Sequence, residues 1–525
     1  MTSRNAVPVY TNPILNADWP DPDAVQVRGF YYLIASSFNR VPGLPVLRSR
    51  NLVDWEHAGH ALPHLPQCSH YSLVRHGGGV WAPSLRYHDG RFWIFYPDPD
   101  HGIFVLSAEK AEGPWTEPHL LYPGRGLIDP CPLWDDDGQA YLVHGWAHSR
   151  VGVKNRLTVH RMSPDASRLL DHGTHVINGA DLPGYTTLEG PKFYKRDGWY
   201  WIFAPAGGVA TGWQSVFRSR SPFGPYEGRR VLEQGDTAVN GPHQGAWVTS
   251  PRGEDWFLHF QDRGPYGRVV HLQPMGWDDD GWPWMGARAS DGGPGTPVSS
   301  HPYPAGTSPK DAAPPASDDF STATLGPQWH WQANPEHGWA HQCGGGHLVL
   351  RPKANDPVNL RELPNVLGQI LPGTPSTFTT SLELQDVPLG TRAGVVVLGQ
   401  KYAWLGIVRT SEGYVLGSGT GGDGPHEQAP GRRIVLPGSR IELQIRTDGT
   451  PRSTFAWRTG PGEPWEVQGW NFEVVEGRWI GAELGIFATS PLGSQEGGSV
   501  IVGPVRVDTA PVRRATAPQL AAATT

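Results

Sequence analysis

Over the first 290 residues, short apolar runs alternate with tight turn signals. Five of the runs follow a glycine: Phe30-Tyr31-Tyr32-Leu33-Ile34 after Gly29, Arg91-Phe92-Trp93-Ile94-Phe95 after Gly90, Gln139-Ala140-Tyr141-Leu142-Val143 after Gly138, Trp199-Tyr200-Trp201-Ile202-Phe203 after Gly198, and Glu254-Asp255-Trp256-Phe257-Leu258 after Gly253. The pair Asp197-Gly198 between two apolar runs is a strong hairpin signal, because both central residues of a type I′ turn need φ > 0. The same hairpin is expected at all five places. The glycines are spaced by 61, 48, 60 and 55 residues. A period near 50 with several strands per unit marks a β-propeller, and further strand-like runs at 45–49 and 103–107 fill the intervals. The pattern predicts five blades of about four strands each.

The alternation stops between Ala287 and Ser317, where Gly, Pro, Ser and Ala dominate, and this stretch reads as a linker. A second series of short alternating strands opens at Asp318-Asp319-Phe320 and runs to about Asp508, through stretches such as 348–351, 376–384, 393–398, 440–446 and 484–488. Such a series suggests a two-sheet sandwich. The expected organisation is all-β: a five-bladed propeller over 1–287, a linker over 288–317, a β-sandwich over 318–508, and a disordered Ala/Thr-rich tail over 509–525.

Composition agrees with a turn-rich β chain carrying many aromatic platforms: 67 glycines, 52 prolines and 23 tryptophans in 525 residues. A net charge of −7 with 18% charged residues argues against nucleic acid or an anionic membrane as partner, and leaves a homo-oligomer open. Three cysteines (Cys68, Cys131, Cys343) cannot form a disulfide framework. Residues 1–9 lack the apolar core of a signal peptide, so a cytoplasmic location is expected.

Eight to ten residues before each hairpin glycine, at the expected entrance of an innermost strand, stand Asp21, Trp81, Asp129, Glu189 and His243. Prolines crowd these positions, as suits a strand's first residues, since proline cannot donate to a ladder. Three carboxylates, an indole and an imidazole would then face one axis. An aspartate beside a proline is usually only a turn former, and it is the equivalent placement in separate repeats that argues otherwise. Asp135, Asp136 and Asp137 read as turn builders, and Asp18 as a turn cap. Spacing does not exclude Asp23. Trp81 fits a core position or a sugar platform equally well. The other histidines, His64, His70 and His76 among them, match no zinc spacing and read as surface residues. Several carboxylates among aromatic faces suit glycoside hydrolysis, which needs one protonated acid and one ionised carboxylate on the opposite face of the sugar. A non-catalytic sugar-binding propeller would need the aromatics but not three registered acids.

The motifs Asn12-Pro13-Ile14-Leu15, Trp19-Pro20-Asp21-Pro22-Asp23, Ser36-Ser37-Phe38, Trp81-Ala82-Pro83-Ser84, Ile128-Asp129-Pro130, Leu188-Glu189-Gly190-Pro191 and Gly241-Pro242-His243-Gln244-Gly245 resemble glycoside hydrolase family 43 in order and spacing. The linker and the region from Asp318 resemble that family's concanavalin-type C-terminal sandwich. The resemblance implies an inverting, exo-acting enzyme that releases a terminal pentose from an oligosaccharide. β-D-xylose stands ahead of α-L-arabinofuranose, or of a bifunctional specificity. It implies Asp21 as general base, Glu189 as general acid and Asp129 as the residue that holds the acid's pKa and orientation. It further implies Phe38, Trp81 and Arg268 as substrate-binding, Trp479 at the pocket rim, and His243 near a Ca²⁺ on the propeller axis. Val269 and Val270 after the arginine, and Asp23 where serine is frequent, depart from the commoner pattern.

Overall fold

A computed structural model describes residues 7–342, 344–355, 359–422, 424, 427–431, 433–494 and 497–510, so Cys343 and all but the first two residues of the expected tail lie outside the described residues. Five antiparallel four-stranded sheets come first, each with its strands in sequence order. Blade 1 comprises Asp23–Val27, Phe30–Ile34, Gly43–Ser49 and Trp55–Leu62, and blade 2 Ser84–His88, Arg91–Asp98, Gly102–Ala108 and His119–Pro123. Blade 3 comprises Leu127–Trp134, Ala140–Trp146, Arg156–Met162 and Thr174–Asn178. Blade 4 comprises Lys192–Arg196, Trp199–Ala206, Trp213–Ser219 and Glu227–Leu232, and blade 5 His243–Thr249, Asp255–Asp262, Arg268–Trp277 and Pro283–Met285.

Three of the five hairpins have the two-residue turn that the pattern predicts, with both central residues at positive φ: Arg28-Gly29, Asp89-Gly90 and Asp197-Gly198. The other two are wider. Trp134 pairs with Ala140 and Thr249 with Asp255, because Asp135 and Ser250 first close their own turns onto Gly138 and Gly253. Each blade is sandwiched between two others, so middle strands such as Gly102–Ala108 are buried on both faces and read as continuous apolar runs.

The segment expected to be a linker is tied down in part. Ser300–Pro302 pairs with Val9–Thr11, joining the two ends of the propeller region, and Thr296 bridges Ala287. Leu15 bridges Val270, and the Asn12 side chain bonds Leu272 and Val298 backbone oxygens, so the start of the chain is stitched to blade 5.

Two further eight-stranded sheets, built from residues 330–509, enclose an apolar core that includes Leu382, Val395, Leu405, Ile445, Phe455 and Ile486. Fully burying each such side chain contributes about 1.5–3 kcal/mol. This sandwich sits on the propeller. Val41 and Trp331 exchange backbone hydrogen bonds, Asn334 bonds Leu65, and the Ala482 N–H donates to the Pro265 oxygen.

Candidate active site

Asp21 and Asp129 both occupy left-handed backbone (φ 54° and 56°), a region that aspartate tolerates better than most residues. That conformation interrupts ladder pairing. Asp21 therefore stands two residues before its strand, and Asp129 sits in a break in blade 3, where pairing skips from Ile128 to Cys131. Trp81 and Glu189 also precede their strands by three residues, and His243 is the first residue of its own. The five positions ring the inner ends of the blades.

The Asp21 carboxylate is buried and fully engaged. Ser36 Oγ donates to Oδ2 at 2.6 Å, and Arg268 Nη1 reaches Oδ1 at 2.9 Å and Oδ2 at 3.1 Å. Glu189 is held differently. Its carboxyl lies 3.6 Å from His243 Nε2. Burial first, then the negative charge of Asp129, push its pKa up to about 8. Asp129 accepts the backbone N–H of Gly190 at 2.7 Å, which fixes the chain immediately after the acid. Its own pKa is raised by burial, against that hydrogen bond. Gly190 lies at φ +59°, and a Cβ there would meet the Gln244 side chain at 2.6 Å, so the residue after the acid has to be glycine.

Phe38 and Trp81 form the wall, their rings 6.1 Å apart at 58°, and Arg150 lies 5.2 Å over the Trp81 face. Trp479 arrives from the sandwich and meets Trp81 edge-on at 6.2 Å. Beside it a cavity of about 220 Å³, lined by Arg268, Asp262, Glu476, Arg478 and Trp479, spans propeller and sandwich.

His243 is buried, with neither ring nitrogen hydrogen-bonded. Burial, then Arg268, lower its pKa to about 3, so it is a neutral imidazole able to accept. Among the described residues no group of three or more His, Cys, Asp or Glu is arranged to hold a metal. An ion beside His243 would meet one unpaired imidazole nitrogen and would have to draw its remaining ligands from water.

Several expectations are corrected. Asp18 is not a turn cap: it accepts the N–H of Arg268 at 2.9 Å and ion-pairs with Arg40. Asp23 is consumed by Arg86, Lys192 and the Leu85 N–H, a clamp between blades 1, 2 and 4. Asp135 builds its turn but also reaches Lys195 and Tyr200 of blade 4. Histidines beyond His243 are not all on the surface. His76 bonds the Arg361 oxygen, and His144–His160 and His259–His271 stack as buried pairs within blades 3 and 5, kept neutral by desolvation. Ser36, Gln244 and Arg40 contribute to the site without having been singled out; the first two lie inside quoted motifs, whereas Arg40 carries no local signal.

Residues 10–283 match the family described as Glycosyl hydrolases family 43, and residues 317–503 match the Beta xylosidase C-terminal Concanavalin A-like domain. A "Putative beta-xylosidase" of Xylanibacter ruminicola is 36% identical over 484 residues, covering 91% of this chain and 86% of that one. A "Non-reducing end alpha-L-arabinofuranosidase" of Bacteroides ovatus is 31% identical over 362 residues, 65% of each chain. The crystal structure of a xylan beta-1,4-xylosidase from Bacillus halodurans shares the fold with a TM-score of 0.84 at 24% identity, covering 95% of this chain and 99% of that one.

Proposed function

Since the chain belongs to glycosyl hydrolases family 43 and is thus a glycoside hydrolase, we propose that it removes a terminal β-D-xylose from xylo-oligosaccharides with inversion at the anomeric carbon. The observation that carries this reading is the contrast between two carboxyl groups. Glu189, with its pKa pushed up to about 8, is protonated at neutral pH and can donate to the leaving oxygen. Asp21, paired with Arg268 and Ser36, takes a proton from the water that attacks the opposite face of the sugar. Asp129 fixes the acid through Gly190 and keeps its proton on through charge. Phe38 and Trp81 supply apolar faces for the sugar ring, and Trp479 narrows the opening, which favours cleavage at a chain end. His243 would help to hold a hydrated Ca²⁺, which would supply positive charge near the carboxylates.

Proton NMR of the first product tests the reading. An anomer opposite to the substrate's is expected, and retained configuration would make Asp21 a nucleophile and end the inverting scheme. A panel of nitrophenyl glycosides separates xylose from the second reading, an α-L-arabinofuranosidase or bifunctional enzyme, which the name of the B. ovatus relative supports. Treatment with a chelator should lower activity and Tm, with calcium restoring both. Metal-free protein that is fully active in chelator would remove the ion from the scheme.

A further inference from the structure

One short segment of the sandwich, residues 476–483, packs against the propeller, and two of its contacts lead to the residue that holds Asp21. The first is backbone on backbone. Ala482 N–H donates to the Pro265 oxygen at 2.7 Å, and a Cβ on Gly481 would meet the Gly267 nitrogen at 2.7 Å, so the sandwich lies flat against the loop that precedes Arg268. The second is a buried chain of charges. Glu483 Oε1 takes Arg40 Nε at 2.6 Å and His330 Nε2 at 3.0 Å. Arg40 Nη1 reaches Asp18 Oδ2 at 2.9 Å, and the other Asp18 oxygen accepts the Arg268 N–H at 2.9 Å. Glu483, Arg40 and Asp18 are all buried. A Cβ on Gly267 would strike Asp18 Oδ1 at 2.1 Å, so the carboxylate fills the space that glycine leaves at φ +69°.

We infer that Glu483 is a positioning residue for the propeller's base: through Arg40 and Asp18 it sets the backbone of Arg268, and so the guanidinium that engages Asp21. Burial opposes its charge, but His330 and Arg40 outweigh it and hold its carboxyl down at about 2, so Glu483 itself is ionised across the working pH range. A buried pair left half-broken is strongly destabilised, so Arg40 without Glu483 has reason to move. A 1 Å misplacement far from the reacting atoms can cost about 10²-fold in rate. The sandwich thereby becomes a working part of the catalytic geometry of the propeller, beyond covering its mouth.

This inference rests on Asp21 being the base, and the test separates the two. In the full chain, Glu483→Gln should lower kcat by about 10- to 100-fold with KM within about threefold. The loss should be similar on nitrophenyl glycosides and on unactivated xylobiose, because the chain from Glu483 reaches Glu189 only through the charge of Arg268. Asp21 is faced by Arg268, Asp129, Glu189 and, through Arg268, by Asp18 and Asp262, while Glu483 is faced by Arg40, His330 and His76. Of these only Arg268 pairs directly with Asp21, so its displacement should move the acidic limb of the kcat profile to higher pH. Asp18→Asn should do the same, and the double variant should lose no more than the worse single one. If Glu483→Gln does not fold, Arg40→Lys, which keeps the charge but cannot fork to two carboxylates, should give the same limb shift. A folded variant with wild-type kcat and acidic limb, or one altered only in KM, overturns the inference. An Asp21→Asn enzyme that stays active overturns the underlying reading instead.

Discussion

The two sides of the site treat a carboxyl group in opposite ways. On the side of blades 1 and 5, Asp21 is surrounded by donors, with Arg268 and Ser36 on its oxygens. On the side of blades 3 and 4, Glu189 faces a second carboxylate and, reaching over from blade 5, a neutral imidazole, and burial and repulsion act on it together. In the proposed scheme, chemically similar groups become a proton acceptor and a proton donor by what surrounds them, as the two halves of glycoside hydrolysis require.

The contrast breaks most completely at Asp21. Asp21→Asn keeps the shape but removes the acceptor, and should cost about 10⁴-fold in kcat whatever the leaving group. Steady-state rates on a good and a poor leaving group check this. Glu189→Gln should cost about 10²- to 10⁴-fold on natural glycans and distinctly less on a nitrophenyl glycoside, whose leaving group needs no proton. The same substitution should raise Tm above pH 8. A carboxyl whose folded pKa lies at about 8, against about 4.3 unfolded, has its stabilising neutral form intact below the unfolded value and loses it as pH rises through 8; glutamine does not titrate.

Asp129→Asn sharpens the comparison by making the two sides more alike. The basic limb of kcat/KM, expected near pH 8, should shift downward because the repelling charge is gone, yet stay above an ordinary glutamate because burial is the larger cause. An unmoved limb would show that Asp129 acts on Glu189 only through Gly190. Trp479→Ala should have the smallest effect, a rise in KM of about 3- to 10-fold with kcat nearly unchanged, as expected for one aromatic contact at the rim. An equal fall in kcat would mean that the tryptophan also acts in the transition state.

The blades were legible in advance because their information is local. Hairpin turns such as Asp197-Gly198 require positive φ, and apolar runs such as Trp199–Ala206 announce strands whatever they pack against. Even there, the Asp135 and Ser250 turns came out wider than the glycine pattern implied, because a side chain or backbone oxygen nearby competed for the turn's hydrogen bonds. The positions of Asp21, Asp129 and Glu189 were equally readable, since register in a repeat is a matter of counting.

What each carboxyl does was not readable in the same way. Asp18 and Asp23 flank Asp21 in the same proline-rich turn, and counting from Gly29 favours Asp21 without showing what becomes of the other two. One is consumed by Arg40 and the Arg268 backbone, one by Arg86 and Lys192, and only Asp21 is left beside the pocket. Arg40 likewise gains its meaning from Glu483, 443 residues away. Strands and turns follow from steric and hydrogen-bonding rules that act over a few residues, so the sequence by itself determined the repeat, the ring and the candidates. Charge and solvation depend on every group within a few ångströms, and that neighbourhood exists only once five blades and a sandwich have closed around it.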